Sequence, residues 1–244
     1  VQAKGVHSMQ EETFSREALL IGQPAVDRLA RCRVAVFGVG GVGGYVVEAL
    51  TRAGVGALDL IDADCVSLSN LNRQLIATLD TVGELKVDVL AQRIARINPA
   101  CQVTRHAMFY LPENADAIDL SRYDYVVDAI DTVSAKIVLA QRCEQLQVPL
   151  ISAMGAGNKL DPTKFVITDI TRTTTCPLAR VMRRELRKRG VKHLKVCYST
   201  EEAHICSDPD GQPIRTPGSI SFVPGTAGLL IAGEVIRTLA GIQG

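Results

Sequence analysis

Two short runs hold most of the side chains in this 244-residue chain that could do chemistry. The first, FGVGGVGG at 37–44, joins an apolar run (Val34 to Phe37) to an apolar helical stretch. Gly38, Gly40, Gly41 and Gly43 suit a backbone that must approach a phosphate chain closely at a helix N-terminus. By themselves they say only "nucleotide". The second run, DLIDADCVSLSNLNRQ at 59–74, narrows the chemistry. Its strand is expected to end in Asp62, an acid suited to a ribose hydroxyl. Asp64, Asn70, Asn72, Arg73 and Gln74 follow at once. A dehydrogenase needs the ribose acid but not this cluster behind it. An enzyme that handles a triphosphate does, because arginine neutralises phosphate charge in a fork geometry. A later strand ends in DAIDT, which puts Asp128 and Asp131 at a carboxyl edge, where such sheets bind ligands. Asp131 reads either as a carboxylate for Mg²⁺ beside a triphosphate or as the N-cap of the helix from Ser134. Lys86, in VGELKVDVL, lies near a helix start, where surface lysines are common.

These residues need a frame, and the pattern supplies one. Strands are expected at Arg33–Phe37, Leu58–Asp62, Cys101–His106, Tyr123–Ala129, Val148–Ala153 and Lys164–Ile170. Helices are expected at Val42–Ala53, Glu84–Ile97 (closed by Asn98-Pro99) and Ser134–Leu146. Beyond residue 172 the pattern changes. A basic helix over 177–189 leads to a polar loop (Thr200–Pro217), a short strand Ser219–Val223 and a last helix. The expected fold is α/β: a doubly wound, mostly parallel, Rossmann-like sheet with a C-terminal elaboration. It forms one domain over 1–244, with a nucleotide-binding core at 12–155 and a C-terminal part at 156–244.

Composition bounds the partners. Apolar residues make up 47%, and the most apolar segment, Ala227 to Ala240, contains Glu234 and Arg237, so a buried or dimer-facing helix is expected rather than a membrane span. No signal-peptide pattern opens the chain, which begins at Val1 and offers Met9 as a start. Seven scattered cysteines with no CxxC pair argue against a disulfide framework and a structural zinc, and fit a reducing cytoplasm. Net charge is +1, yet Arg172 to Lys195 holds nine Lys/Arg and one acid, Glu185, hence +8 there and −7 elsewhere. In CPLARVMRRELRKRG, Leu178, Val181, Met182 and Leu186 fall at helical spacing, leaving Arg183, Arg184, Arg187, Lys188 and Arg189 largely off that face. A solvated helix face is the plain reading; so concentrated a charge in an otherwise acidic chain points to a polyanion. With only Tyr198 nearby, backbone phosphate contact is expected rather than base stacking. Cys176, beside Pro177, stands where a thiolate would be stabilised, though a buried, incidental cysteine is the plainer account.

Taken together, GxGGxG, IDxDxVxxSNLNRQ, VGxxKVxVL and DAIDT resemble the superfamily of ubiquitin-activating-like adenylyltransferases that includes MoeB and ThiF. The four motifs stand in the family's order and spacing across roughly 12–155. The resemblance implies ATP and Mg²⁺, and a carboxylate that attacks the α-phosphate to give an acyl-adenylate. Gly38, Gly40, Gly41 and Gly43 match the phosphate turn, Asp62 the ribose ligand, and Asn70, Arg73 and Lys86 the charge-neutralising set. Asp131 matches the Mg²⁺ carboxylate. Arg16, in FSREALLIG, matches an arginine that reaches across a homodimer interface to the partner's nucleotide.

The C-terminal third lacks the zinc-binding CxxC pairs usual in MoeB-like and ThiF-like members. ISAMGAGNKLDPTKFVITDI, the basic run and PGSISFVPGTAGLLIAGEVI look like the tRNA threonylcarbamoyladenosine dehydratase branch, a resemblance covering nearly the whole chain. It implies ATP-dependent cyclisation of that nucleoside at position 37 of tRNA, and the charge pattern agrees: tRNA is a polyanion suited to the basic helix with Arg183, Arg184, Arg187 and Lys188. Three other readings predict different things. A sulfur-carrier adenylyltransferase would act on a diglycine-tailed protein, an NAD-dependent dehydrogenase would bind NAD tightly, and a non-catalytic tRNA-binding module would release no pyrophosphate. Which tRNAs are used and whether a sulfur-transfer partner exists are left open.

Overall fold

The computed structural model describes residues 12–207 and 216–242; Met9 with the residues before it, and 208–215 of the polar loop, lie outside the described residues. Two short helices, α1 (Ser15–Ile21) and α2 (Gln23–Leu29), precede β1 (Arg33–Phe37). Then come α3 (Gly43–Arg52), β2 (Ala57–Ile61), α4 (Lys86–Ile97), β3 (Gln102–His106) and β4 (Tyr125–Asp128). The chain continues with α5 (Val133–Leu146), β5 (Leu150–Ala153), β6 (Phe165–Asp169), α6 (Pro177–Lys188), β7 (Lys195–Ser199) and α7 (Phe222–Ala240). The strands form one sheet in the order β3-β2-β1-β4-β5-β7-β6. All neighbours are parallel except β6 against β7.

Parallel strands buried on both faces must be apolar at every position, and β1 shows why. Val34 and Val36 pack on one side with Leu29, Val46 and Leu50, while Ala35 and Phe37 pack on the other with Leu139 and Cys143. Helices α2, α3, α4 and α7 cover the first face; α5 and the segment 110–123 cover the second. Because β1 pairs with β2 on one side and β4 on the other, the chain reverses its winding between β1 and β4. A crevice at such a switch point, outside the carboxyl ends of the strands, is where doubly wound sheets hold ligands. Here it is flanked by the glycine turn after β1 and the DAIDT segment after β4.

Three expectations are corrected. Ser219–Val223 is not a strand: Phe222 opens α7. Its SISFV pattern is strand-like, but Pro224 falls in a first helical turn, where a missing N–H has no partner to lose. The strand inserted between β5 and the edge strand β6 is instead β7, KVCYS, which the sequence reading passed over. On the basic helix, Val181 is exposed and Ala179 takes its place in the core beside Met182 and Leu186. Helix α7 is long and apolar enough by composition to cross a membrane, yet Val223, Ala227, Ile231 and Val235 are buried in the sheet's own core.

Candidate active site

The glycine turn is dictated by backbone meeting backbone. Gly38 has φ +81°, and a Cβ there would lie 2.6 Å from the Ala129 carbonyl oxygen. At Gly43 a Cβ would lie 1.8 Å from the Gly38 carbonyl oxygen. Only hydrogen fits at either place, so the turn doubles back tightly into α3 and presses against the segment after β4. Hydrogen bonds among the described residues leave the N–H groups of Gly40, Gly41 and Gly43 unused. A helix start with open donors carries partial positive charge and accepts phosphate.

Side chains from the second motif close around this turn. Both oxygens of the Asp62 carboxylate accept a backbone N–H, from Val39 and Asp64, each at 2.8 Å. The acid after β2 is thereby clamped to the first residues of the turn. Gln74, only 7% exposed, lies beneath the turn, its Nε2 3.5 Å from where a Gly40 Cβ would stand, and its Oε1 has no partner. Arg73 passes Gly41, and its guanidinium donates to Ser69 O at 2.8 Å and Asn72 Oδ1 at 2.9 Å. Asn72 in turn donates to Ser219 O at 3.0 Å, tying the cluster to the approach of α7. Asn70 is buried and spends its carbonyl oxygen on Ser67 N. Its oxygen shapes the 67–70 turn that presents Arg73.

Lys86 is buried to its ammonium, which donates to Asp64 Oδ2 at 2.8 Å, while the Asp64 side chain is half exposed. A lysine so placed is no solvated surface residue. Asp131 is exposed, and among the described residues no hydrogen bond or ion pair engages its carboxylate. The N-cap of α5 is Thr132, so the capping alternative for Asp131 is set aside. One open carboxylate fits Mg²⁺ that arrives on nucleotide phosphates and keeps its waters. Asp128 behaves differently: its carboxylate turns inward to Lys136 and Ser152. Arg16 is exposed on α1, and no hydrogen bond or ion pair among the described residues joins it to the site.

The basic helix α6 is only partly free. Arg183 is half-buried and donates to Thr173, including its carbonyl at 2.7 Å. Arg184, Lys188 and Arg189 all converge on Glu185, at 3.1, 2.9 and 2.8 Å. Arg189, then Lys188 and Arg184, hold the Glu185 carboxyl down to about 2. Arg187 and Arg180 are exposed, with no side-chain partner among the described residues. Cys176 is buried as the N-cap of α6, its Sγ accepting Ala179 N at 3.5 Å, which favours the incidental account of that residue. A cleft of about 430 Å³ lined by Cys143, Glu144, Asp169, His193 and Lys195 lies at the amino edge of the sheet, away from the glycine turn. It has none of the phosphate-binding groups. Among the described residues no group of three or more His, Cys, Asp or Glu could hold a metal ion.

One feature escaped the sequence reading: Lys136, 1% exposed, paired with Asp128. Its signal was position. Lys136 shares the stripe of Leu139, Ala140 and Cys143 on α5, all buried.

A turn of open amides, two cations beside it and an unpaired carboxylate across the switch point suit a nucleotide triphosphate. The ThiF family description matches residues 14–244. The chain belongs to the ThiF family. It is 45% identical over 238 residues to the tRNA threonylcarbamoyladenosine dehydratase of Bacillus subtilis, covering 93% of this chain and 94% of that protein. In three dimensions it is similar to the E. coli enzyme of that name, TcdA, in complex with AMP, with a TM-score of 0.87 and 34% identity over 95% of both chains. The same enzyme in complex with ATP gives 0.84 and 34% identity, over 96% of this chain and 97% of that one. This ThiF-family chain thus shares its fold with those solved structures over nearly its whole length.

Proposed function

We propose that this ThiF-family protein is an ATP-dependent tRNA threonylcarbamoyladenosine dehydratase. The observation that carries the reading is the open-amide turn with Arg73 and Lys86 on one side and the free Asp131 carboxylate on the other. Similarity to the named dehydratases along nearly the whole chain supports it. Asp62 holds the ribose, and the turn's N–H groups, with Gln74 and Asn70 behind them, hold the phosphates. Arg73 and Lys86 offset phosphate charge. Asp131 is the carboxylate placed to hold Mg²⁺, which would supply further charge neutralisation at the phosphates when bound.

The threonyl carboxylate oxygen attacks the α-phosphorus, the bond to the β-phosphate oxygen breaks and pyrophosphate leaves. A nitrogen or oxygen of the neighbouring carbamoyl group then attacks the acyl carbon, the carbamoyl group gives up an N–H proton to water, AMP leaves and the ring closes. That nucleophile belongs to the same molecule, so proximity supplies on the order of several kcal/mol of the barrier. No protein nucleophile is needed.

The working unit is a homodimer. Helix α1 buries none of its residues and leaves Leu19 and Leu20 88% and 86% exposed, and α7 shows Leu229 at 52%. Ordered helices with open leucines call for cover. A second copy would bring Arg16 of the partner subunit to the phosphates. The open cations of α6 meet tRNA phosphates, and the compartment is the cytoplasm, where seven free thiols persist. The deciding experiment incubates modified tRNA with ATP, Mg²⁺ and the protein, then weighs the nucleosides. Threonylcarbamoyladenosine should lose the mass of one water with release of AMP and pyrophosphate. Unchanged nucleoside and no pyrophosphate would sink the proposal.

A further inference from the structure

An ion pair in a protein core is costly to desolvate, and replacing both partners by apolar side chains often loses no stability. Lys136 is one half of such a pair. Its Nζ donates to Asp128 Oδ2 at 2.9 Å and to Ser152 Oγ at 3.2 Å, and Ser152 donates to the same Asp128 oxygen at 2.5 Å. Asp128 is fully buried, and its other oxygen accepts Ile130 N–H at 3.1 Å. One carboxylate therefore joins the end of β4, the first turn of α5 and the end of β5.

What this knot holds is the segment Ala129–Asp131. Ala129 N donates to Phe37 O at 2.8 Å, and the Ala129 carbonyl is the atom that Gly38 is pressed against. Two residues on stands Asp131. The glycine turn abuts Ala129 and the open carboxylate stands at Asp131, so both belong to one short segment, and that segment hangs from Asp128. Lys136 also cancels the Asp128 charge, so that Asp131 is the open anion at this edge.

We propose that Lys136 is a positioning residue: through Asp128 and Ser152 it sets the place of Ala129–Asp131, and with it the reach of the Asp131 carboxylate to the nucleotide's Mg²⁺. The proposal rests on the adenylating reading above. Loss of the ammonium leaves Asp128 as a buried carboxylate without a counter-charge; turning outward toward water, it would leave Ile130 N–H without its acceptor.

The test is Lys136→Met in the full-length protein, with two readouts. The Mg²⁺ concentration for half-maximal pyrophosphate release should rise at least ten-fold. Amide exchange in a peptide spanning 129–132 should quicken at least ten-fold relative to one from β1. A purely structural ion pair would lower the melting temperature and move neither. If Lys136→Met does not fold, the double variant Asp128→Asn/Lys136→Met, which leaves no lone buried charge, faces the same two measurements. Either readout unchanged in the folded variant overturns the proposal. A wild-type protein that releases no pyrophosphate would count against the proposed function instead, and amide exchange alone would then decide the role of Lys136.

Discussion

Replacing Gly43 by alanine separates the nucleotide turn from the rest of the fold. The added Cβ would meet the Gly38 carbonyl oxygen at 1.8 Å, where real contacts essentially never fall below 3.0 Å. The two backbone segments must therefore part by more than an ångström, and neither is a flexible side-chain end. Overpacking of this kind costs about 1–3 kcal/mol, within the ~5–15 kcal/mol margin of a folded domain. The protein should fold, with a melting temperature lower by about 2–12 °C for a chain of this size. Binding has no such margin to absorb the change: displacing a positioned group by about 1 Å can cost on the order of 10²-fold. Gly233→Ala is the matched control. It lies inside α7 with nothing within 4 Å of the new methyl, so alanine should stabilise by about 0.5–1 kcal/mol. Calorimetric titration with ATP and a thermal scan of both variants read the two effects. A Gly43→Ala protein that binds ATP within two-fold of wild type refutes the close-approach reasoning.

Asp131→Ala and Arg73→Ala should each lower pyrophosphate release by on the order of 10²-fold or more with the melting temperature nearly unchanged; near-normal turnover in either would remove it from the site. Mixing Arg16→Ala subunits with Lys86→Ala subunits should restore activity, since one of the hybrid's two sites is intact, whereas a fully active monomer by light scattering contradicts the composite site. Replacing Arg183, Arg184, Arg187 and Lys188 by Gln should weaken binding to all tRNAs alike and flatten the log–log salt slope by up to about one unit per lost contact. Arg187 alone should account for a large share, because the other three already have protein partners; an unchanged slope returns α6 to a solvated face. Glu185, held down to about 2 by Arg189, Lys188 and Arg184 from an ordinary 4.5, contributes stability that is present above pH 4.5 and lost as pH falls toward 2. The Glu185→Gln protein should lack that acid-range component in a melting-temperature profile, and identical profiles would contradict it.

What was legible in the sequence is what steric and periodic rules dictate locally. Gly38 and Gly43 are glycine because carbonyl oxygens occupy the space of a Cβ, so their spacing reports the turn before any fold is known. Strands such as β1 and β4 are buried on both faces and read as apolar runs. What was not legible depends on partners. β7 is a strand because β5 and β6 flank it. The SISFV run became coil and first helical turn because α7 packs against α3, where a Cβ at Gly228 would lie 2.4 Å from the Val42 carbonyl oxygen. Arg183 looked like one more open cation until Thr173 was seen beneath it.

The same dependence on partners orders the charges around the site. Lys86 lies against Asp64, Arg73 rests on Ser69 and Asn72, and Asp128 is cancelled by Lys136. Each of these charges is held in place by neighbours before any ligand arrives, so little reorganisation is left for the moment of reaction. Asp131 is the exception: its carboxylate has no partner among the described residues. An anion left open opposite a turn of open amides makes sense when the missing counter-charge comes with the substrate. A nucleotide that carries its own cation would pair with Asp131 at one side and with the turn at the other. The site's lone unsatisfied carboxylate is thus the feature that favours a metal-bound triphosphate over a dinucleotide such as NAD, which brings no divalent cation to pair with it.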